Sequence, residues 1–445
     1  MDENWSKLTF EEKRQQRYAL FLSTEGLKFD SKEAEQAYKR RTQRLVDVYQ
    51  VKEPDRVPVS VSIGVTPAYL DGMDFHTVMY DYEKLKQAWN KFNLEYTDLD
   101  SFATPFMLLP AKVYDILDYK LYAWPGHGLP TSATGIQFVE GEYMKAEEYD
   151  ALIKNPSDFW QRVYMPRIFG AFDSWQTLNP WTNIIELPTM YFMAYTRPDV
   201  QESLQRLIEV GKELARWQQV VGEFAMKSIA AGFPGMRGSF AKAPFDVIGD
   251  TLRGTQGIMF DMFRQPDKLL EGIEVITTLM IDSIINSANA SGGMMAMFPL
   301  HKGADGWMSD KQFDTFYWPS LKKVIQACID EGILVSLFAE GSYNTRLSSV
   351  NEFPKGAVHW MFDKTDMAKA KKALGDKCSI SGNVPTSLLM TGTPAQVKEH
   401  CRKLIEICAP GGGYILSSGA GVDNANMENV RAMVEAAKEY GVYRK

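Results

Sequence analysis

The chain has 445 residues, 45% of them hydrophobic and 24% charged, which excludes wholesale disorder and leaves room for one large core or two or three smaller domains. Its 49 basic and 56 acidic side chains give a formal net charge of −7 without a clustered Lys/Arg stripe, so composition offers no footprint for nucleic acid. Four cysteines (Cys328, Cys378, Cys401, Cys408) are no disulfide framework in a chain of this length and point to a reducing cytoplasm. The amino-terminal MDENWSKLTFEEKRQQRYALF is charged and does not read as a signal peptide. The longest uncharged run, 283–300, is interrupted by Asn, Ser and Gly, so no membrane span is expected.

Residues 1–55 read as a helical extension, clearest over 31–50. The turn Glu53-Pro54-Asp55-Arg56 leads into an alternating, strand-like stretch at 57–64, then a helix at 83–91 and a short apolar stretch at 99–103. From about 104 to 180 prolines recur at 105, 110, 125, 130, 156, 166 and 180, and this part is read as an insertion or lid on the main scaffold of residues 56–445. A strand is expected at 183–190 and helices at 199–231, 250–263 and 266–289. Strands at 294–301, 333–341, 357–363, 379–384 and 414–419 then alternate with helices at 311–331, 367–374, 394–407 and 427–440. Strands separated by helices of this length pair in parallel through right-handed crossovers. No GxGxxG follows any strand, so a dinucleotide fold has no support. The expected architecture is an α/β TIM-type (β/α)₈ barrel with an amino-terminal helical extension and an insertion.

In such a barrel the chemistry sits where strands end and helices begin. Those positions hold His301 and Asp305, Glu340 and Tyr343, Asp363, Asn383, and Ser417–Ser418. Alternation places Ser336, Phe338 and Glu340 on one face of their strand, and His359, Met361 and Asp363 on one face of the next. Each has an ordinary alternative. Glu340 could pair with Arg346, His301 could bond Asp305, and Asp363 could start a helix that Thr365 or Asp366 caps. His359 reads as a core histidine, Asn383 as a turn residue, and Gly411-Gly412-Gly413 as a flexible turn.

The motifs PDRVPV, GDTLRG at 249–254, DGWMSDKQFDTFYWPSLKKVI at 305–325, SGNVP at 381–385 and GGGYILSSGAGVDNANMENVRAMVEAAKEYG at 411–441 resemble the uroporphyrinogen decarboxylase superfamily. The resemblance covers most of the chain and is densest from about 240 to the end. That superfamily includes porphyrin-pathway decarboxylases and corrinoid-dependent methyltransferases. The decarboxylases carry an Arg-Gln-Ala-Gly-Arg-Tyr stretch whose arginines hold substrate carboxylates; the corresponding RYALFLSTEGLKFD (17–30) lacks it. Thiol-directed methyltransferases place zinc ligands in His-x-Cys-Gly and a later Cys, which correspond here to Phe338-Ala339-Glu340-Gly341 and Ala420.

The resemblance therefore implies a methyltransferase that moves a methyl group from a methoxylated, aromatic substrate to the Co(I) corrinoid of a partner protein. Glu340, with His301, would hold a zinc or a proton against the ether oxygen, and Asp363 would join them as a catalytic residue. Trp307, Phe338, Tyr343 and Asn383 would contact the substrate. The chain has no Asp-x-His-x-x-Gly, so the corrinoid is expected on a separate protein. Partners are thus a corrinoid protein and a small-molecule methyl donor, with a homodimer compatible. The competing expectations are a decarboxylase of a small carboxylate and a barrel that binds ligand without turnover.

Overall fold

The computed structural model of the chain describes residues 4–96, 98–105, 108, 110–182, 186, 190–236 and 238–443. Seven strands carry the sheet: β1 (Val59–Ser60), β2 (Gly238–Phe240), β3 (Met295–Leu300), β4 (Leu334–Ala339), β5 (Val358–Phe362), β6 (Ser379–Val384) and β7 (Tyr414–Ser418). They lie in the order β1-β7-β6-β5-β4-β3-β2, and every neighbouring pair is parallel. Helices cross between them, as parallel pairing requires. Several are bounded as sequence periodicity predicts: Lys32–Tyr49, Pro198–Ala230, Pro266–Ser291, Met367–Leu374, Pro394–Cys408 and Met427–Tyr440. Asp366 caps Met367–Leu374 by accepting the Ala368 and Lys369 amides, and Thr393 with Gln396 forms a capping box ahead of Pro394–Cys408.

Register decides what faces what. Ser336 lies beside His359, which lies beside Ser379, and Phe338 lies beside Met361 beside Ser381. This face mixes Phe338 and Met361 with polar side chains, and His359 sits buried on it between the Ser379 and Ser381 hydroxyls at 2.9 and 3.1 Å. The opposite face supplies Leu337, Trp360 and Ile380 to the main hydrophobic core with Leu321, Val324 and Ile325 of helix Trp318–Asp330. Apolar burial on that outer face holds the helices to the sheet, at about 25 cal/mol per Å² removed from water.

Three expectations need correction. The helix expected over 250–263 is broken: a π-helical turn, Val247–Leu252, passes into helix Gly254–Arg264 at Gly254, whose φ of +67° suits glycine. The helix expected over 311–331 starts with an α turn at Asp310–Gln312, passes through a π turn at Phe313–Tyr317 and becomes regular at Trp318–Asp330, where Pro319 lacks the amide a continuous ladder needs. The strand expected over 57–64 pairs only at Val59–Ser60 among the described residues. The strand expected over 183–190 falls largely outside the described residues.

Among the described residues the expected closed eight-stranded barrel is seen as a curled parallel sheet of seven strands. Across the gap between β1 and β2 run residues 99–103, joined to each side by single backbone bonds. Asp100 donates its amide to Val59 O at 3.2 Å, and Phe102 donates to Pro234 O at 3.1 Å. A ladder does not form there because the Asp100 carboxylate itself takes the Val59 amide, at 2.7 Å. Arg44 and Arg56 both bond the same carboxylate, which is 1% exposed, and Arg44 also grips Asp55. PDRVPV therefore serves this junction. Replacing Asp100 by Ala leaves Arg44 with Asp55 alone, takes the carboxylate from Arg56 and strands the Val59 amide, and is expected to cost about 3–5 kcal/mol in urea unfolding. A loss below about 1 kcal/mol would show that the junction contributes little.

The proline-rich part is more ordered than its sequence suggests. Short strands Gly128–Leu129, Tyr122–Pro125 and Gln137–Phe138 form a small sheet, with short helices such as Ala111–Leu117 and Tyr149–Lys154 around it. A second hydrophobic cluster packs Trp89, Trp124, Trp217 and Phe224 together. Residues 140–144 are tied to the β2–β3 connection: Met144 donates its amide to Leu252 O at 2.7 Å, Glu140 accepts the Thr255 amide at 2.6 Å, and buried Arg253 reaches Glu142, the Met144 carbonyl and Asp261. Among the described residues no helix is long and apolar enough to cross a membrane.

Candidate active site

Leu300, Ala339 and Phe362 form one register row at the carboxyl ends of β3, β4 and β5. The residues that follow, His301, Glu340 and Asp363, therefore emerge side by side at the mouth of the curled sheet. His301 Nε2 stands 3.6 Å from Glu340 Oε1, and His301 Nδ1 lies 2.5 Å from Asp250 Oδ2. Asp250 comes from the π-helical turn after β2. The histidine thus spans two carboxylates that lie 90 residues apart in sequence.

Asp250 is the hub. Its Oδ1 accepts Lys302 Nζ at 2.6 Å, and its Oδ2 accepts Lys242 Nζ at 2.7 Å as well as His301. Gly249 makes room for this: a Cβ there would meet Lys302 Cε at 2.7 Å. Burial alone would raise the Asp250 pKa, but the His301 hydrogen bond and the Lys242 and Lys302 charges outweigh it and hold the carboxyl well below its usual range. Four residues earlier, Asp246 is fully buried and accepts the His301 and Lys302 amides, each at 3.0 Å, and the Tyr317 hydroxyl at 2.7 Å. Burial, together with the neighbouring Asp250 charge, pushes Asp246 up to about 6.

His301 and Glu340 respond to this surrounding. Burial would lower the His301 pKa, yet the Asp250 bond and the Asp250, Asp246 and Glu340 charges raise it above the ordinary 6.5. Glu340 is raised mainly by burial and also by Asp250 and Asp363, against the lowering pull of His301 and Lys242. His359 behaves oppositely, with burial forcing it down to about 3. The chain has five histidines, so their imidazole NMR signals can separate these cases. His301 is expected to titrate above the ordinary histidine value, and His359 to stay neutral down to strong acid. A His301 midpoint below 6.5 would mean that the Asp250 contact does not persist in solution.

The other expected site residues are placed as follows. The Asp363 carboxylate accepts the Gly341 amide at 3.1 Å, and Asn383 Nδ2 donates to the Asp363 and Thr365 carbonyls at 3.1 and 2.8 Å. Both brace the mouth. Trp307 is half-buried, and Lys302 Nζ lies 5.6 Å from its ring centre, so the indole borders the Asp250 hub. Phe338 is half-buried one register step below Glu340. Tyr343 is 1% exposed, packs against Trp360 and donates its hydroxyl to Leu300 O at 3.2 Å, which makes it part of the wall. Arg346 pairs with Asp310 and not with Glu340. Asp305 bonds Ser342 and Thr345, so it is not the partner of His301.

Sequence reasoning missed Asp246, Asp250, Lys242 and Lys302. Asp250 lies in GDTLRG, and Lys302 follows His301; Lys242 is eight residues from Asp250, but the His301 and Lys302 contacts to it cross more than fifty residues.

A zinc with three protein ligands would need one more donor beside His301 Nε2 and Glu340. The Asp250 oxygens are taken by lysines and His301, an Asp363 oxygen takes an amide, and Ala420 carries no donor. Among the described residues no group of three or more His, Cys, Asp or Glu side chains is placed to hold a metal ion. The donors present do not fit such a site. What they do provide is a histidine and a carboxylate, two groups able to carry a proton, facing each other at 3.6 Å.

Residues 236–440 match the family model of uroporphyrinogen decarboxylase (URO-D). Among curated proteins, the uroporphyrinogen decarboxylase of Chlorobaculum parvum is 27% identical over 191 residues, covering 40% of this chain and 51% of that protein. That of Coxiella burnetii is 22% identical over 184 residues, covering 41% and 50%. The chain spans about half the length of these relatives. Among solved structures, a methyltransferase from Methanosarcina mazei superposes with a TM-score of 0.59 at 16% identity, covering 91% of this chain and 98% of that one. At that identity the likeness establishes a shared fold.

Proposed function

We propose that this protein is a methyltransferase that moves a methyl group from an aryl methyl ether to the Co(I) corrinoid of a partner protein. The observation that carries this reading is the His301–Glu340 pair at the mouth, with Nε2 and Oε1 3.6 Å apart and the other imidazole nitrogen fixed by Asp250 at 2.5 Å. An aryl ether gives up its methyl group poorly because phenoxide is a reluctant leaving group. A proton delivered to the ether oxygen as the methyl–oxygen bond breaks removes that obstacle. The methyl carbon goes to cobalt, the bonding pair stays on oxygen, and the product is the phenol.

The chain's own residues prepare this step. Asp250 accepts from His301 Nδ1, which leaves the Nε2 side facing the Glu340 carboxylate as an ion-pair contact at 3.6 Å. Burial raises Glu340, and the Asp250 bond with the neighbouring carboxylate charges raises His301, so both shifts favour the protonated form. Half-buried Trp307 and Phe338 offer aromatic surface for the ring beside the acid. The similarity in fold to a methyltransferase adds support.

The test is anaerobic mixing of the protein with Co(I) cobalamin and methoxybenzenes while the Co(I) absorption is followed. Loss of Co(I) with release of the corresponding phenol supports the reading. Transfer confined to thiols or amines, or none with any ether, overturns it. The URO-D family-model match favours one second reading, decarboxylation of a small carboxylate. Carbon dioxide release without cobalt would select that alternative.

A further inference from the structure

We propose that Asp246 is a positioning residue for this site: its carboxylate fixes the main chain at His301 and Lys302 so that the imidazole meets Asp250 and Glu340 together. The inference rests on the methyltransferase reading for its kinetic arm and on geometry for its premise. Asp246 ends the short helical turn Pro244–Asp246 after β2, while His301 and Lys302 leave the end of β3. Across that separation Oδ2 accepts the His301 amide at 3.0 Å and Oδ1 accepts the Lys302 amide at 3.0 Å. Consecutive amides are thus held by the two oxygens of one carboxylate. Tyr317, itself fully buried, adds its hydroxyl to Oδ2 at 2.7 Å.

The turn has no freedom on its other side. A Cβ at Gly303 would stand 2.7 Å from the Tyr343 hydroxyl and 2.8 Å from Tyr317 Cε1, so the main chain after Lys302 is pressed against two tyrosines. Asp246 fixes the backbone of His301 and Asp250 fixes its ring, both from one stretch after β2. A ring held at both points keeps Nε2 aimed at Glu340. Displacement by about 1 Å at a catalytic group can cost about a hundredfold in rate. Asn cannot replace Asp246 without loss, since its amide nitrogen would confront a main-chain N–H.

The experiment compares wild type, Asp246→Asn and Tyr317→Phe in the full chain. Steady-state methyl transfer to Co(I) cobalamin is measured alongside the ¹⁵N imidazole spectrum of His301. Asp246→Asn is expected to lower kcat by about 10–100-fold with KM within about threefold, and to move the His301 ring signals. Tyr317→Phe, which removes one of three donors, should give a smaller loss and a smaller shift. A folded Asp246→Asn protein with unchanged kcat and unchanged His301 signals overturns the proposal. If Asp246→Asn does not fold, Tyr317→Phe decides: unchanged His301 signals overturn it. If wild type transfers no methyl group from any ether, the functional reading fails, and the His301 spectrum still decides whether Asp246 positions the ring.

Discussion

Glu340→Gln is expected to fold normally and to lose methyl transfer from aryl ethers by about 10²–10⁴-fold in kcat, the range of a lost general acid. Glu340 has a side chain 44% exposed, and among the described residues its ion-pair contact is His301 at 3.6 Å. Removing its charge therefore changes stability little, by about 0.5 kcal/mol or less, as for other partly exposed positions. Gln keeps the shape and cannot give up a proton. The loss should depend on the leaving group: ethers of acidic phenols, which depart without a proton, should lose much less than ethers of ordinary phenols. A uniform loss across leaving groups would mean that Glu340 binds substrate or shapes the mouth. No loss at all would remove the proton donor from the mechanism.

The strand-end reading places Glu340 at the mouth, and alternation puts it on one face with Ser336 and Phe338. β3, β4 and β5 are regular, each ends within a residue or two of its expected limit, and their shared register makes His301, Glu340 and Asp363 neighbours. The partner of His301 was not legible. Local reasoning offers Asp305, four residues on, and the chain uses Asp250, 51 residues back. Periodicity also hid Asp250, because 250–263 carries a helical pattern and nothing in a helical pattern announces that its first turn is π-wound. Gly249 and Gly254 were the available signals: one admits the Lys302 side chain and the other takes a positive φ. In the proline-rich part, residues 140–144 stay in place through Arg253, whose partners Glu142 and Asp261 are 111 and 8 residues away. Such contacts belong to the tertiary structure, and composition alone suggested only irregularity.

Asp250 carries the second large effect, this time on stability. Asp250→Asn leaves Lys302, with a side chain 9% exposed, and Lys242 without their shared counter-charge, and its single carbonyl oxygen cannot serve the three donors that the two carboxylate oxygens accept. Breaking a buried ion pair by removing one partner costs about 3–5 kcal/mol, because the remaining charge stays buried. Three cations meet on this one carboxylate, so a loss at the upper end of that range is expected in urea unfolding near neutrality. The pH dependence has a definite sign. Asp250 is held below its ordinary value of 3.8, so its contribution is complete above that value and disappears as pH falls through the lower folded one. His301 is held above 6.5, so its share is complete below that value and disappears as pH rises through the folded one. The gap between wild type and Asp250→Asn should therefore be wider at about pH 6 than at about pH 9, where neutral His301 no longer draws on the carboxylate. The lysine share persists across that interval, which keeps the gap from closing. A gap that is constant between the two conditions would mean that His301 is not ionised against Asp250. A gap below about 1 kcal/mol would mean that water screens the hub as it does a surface pair.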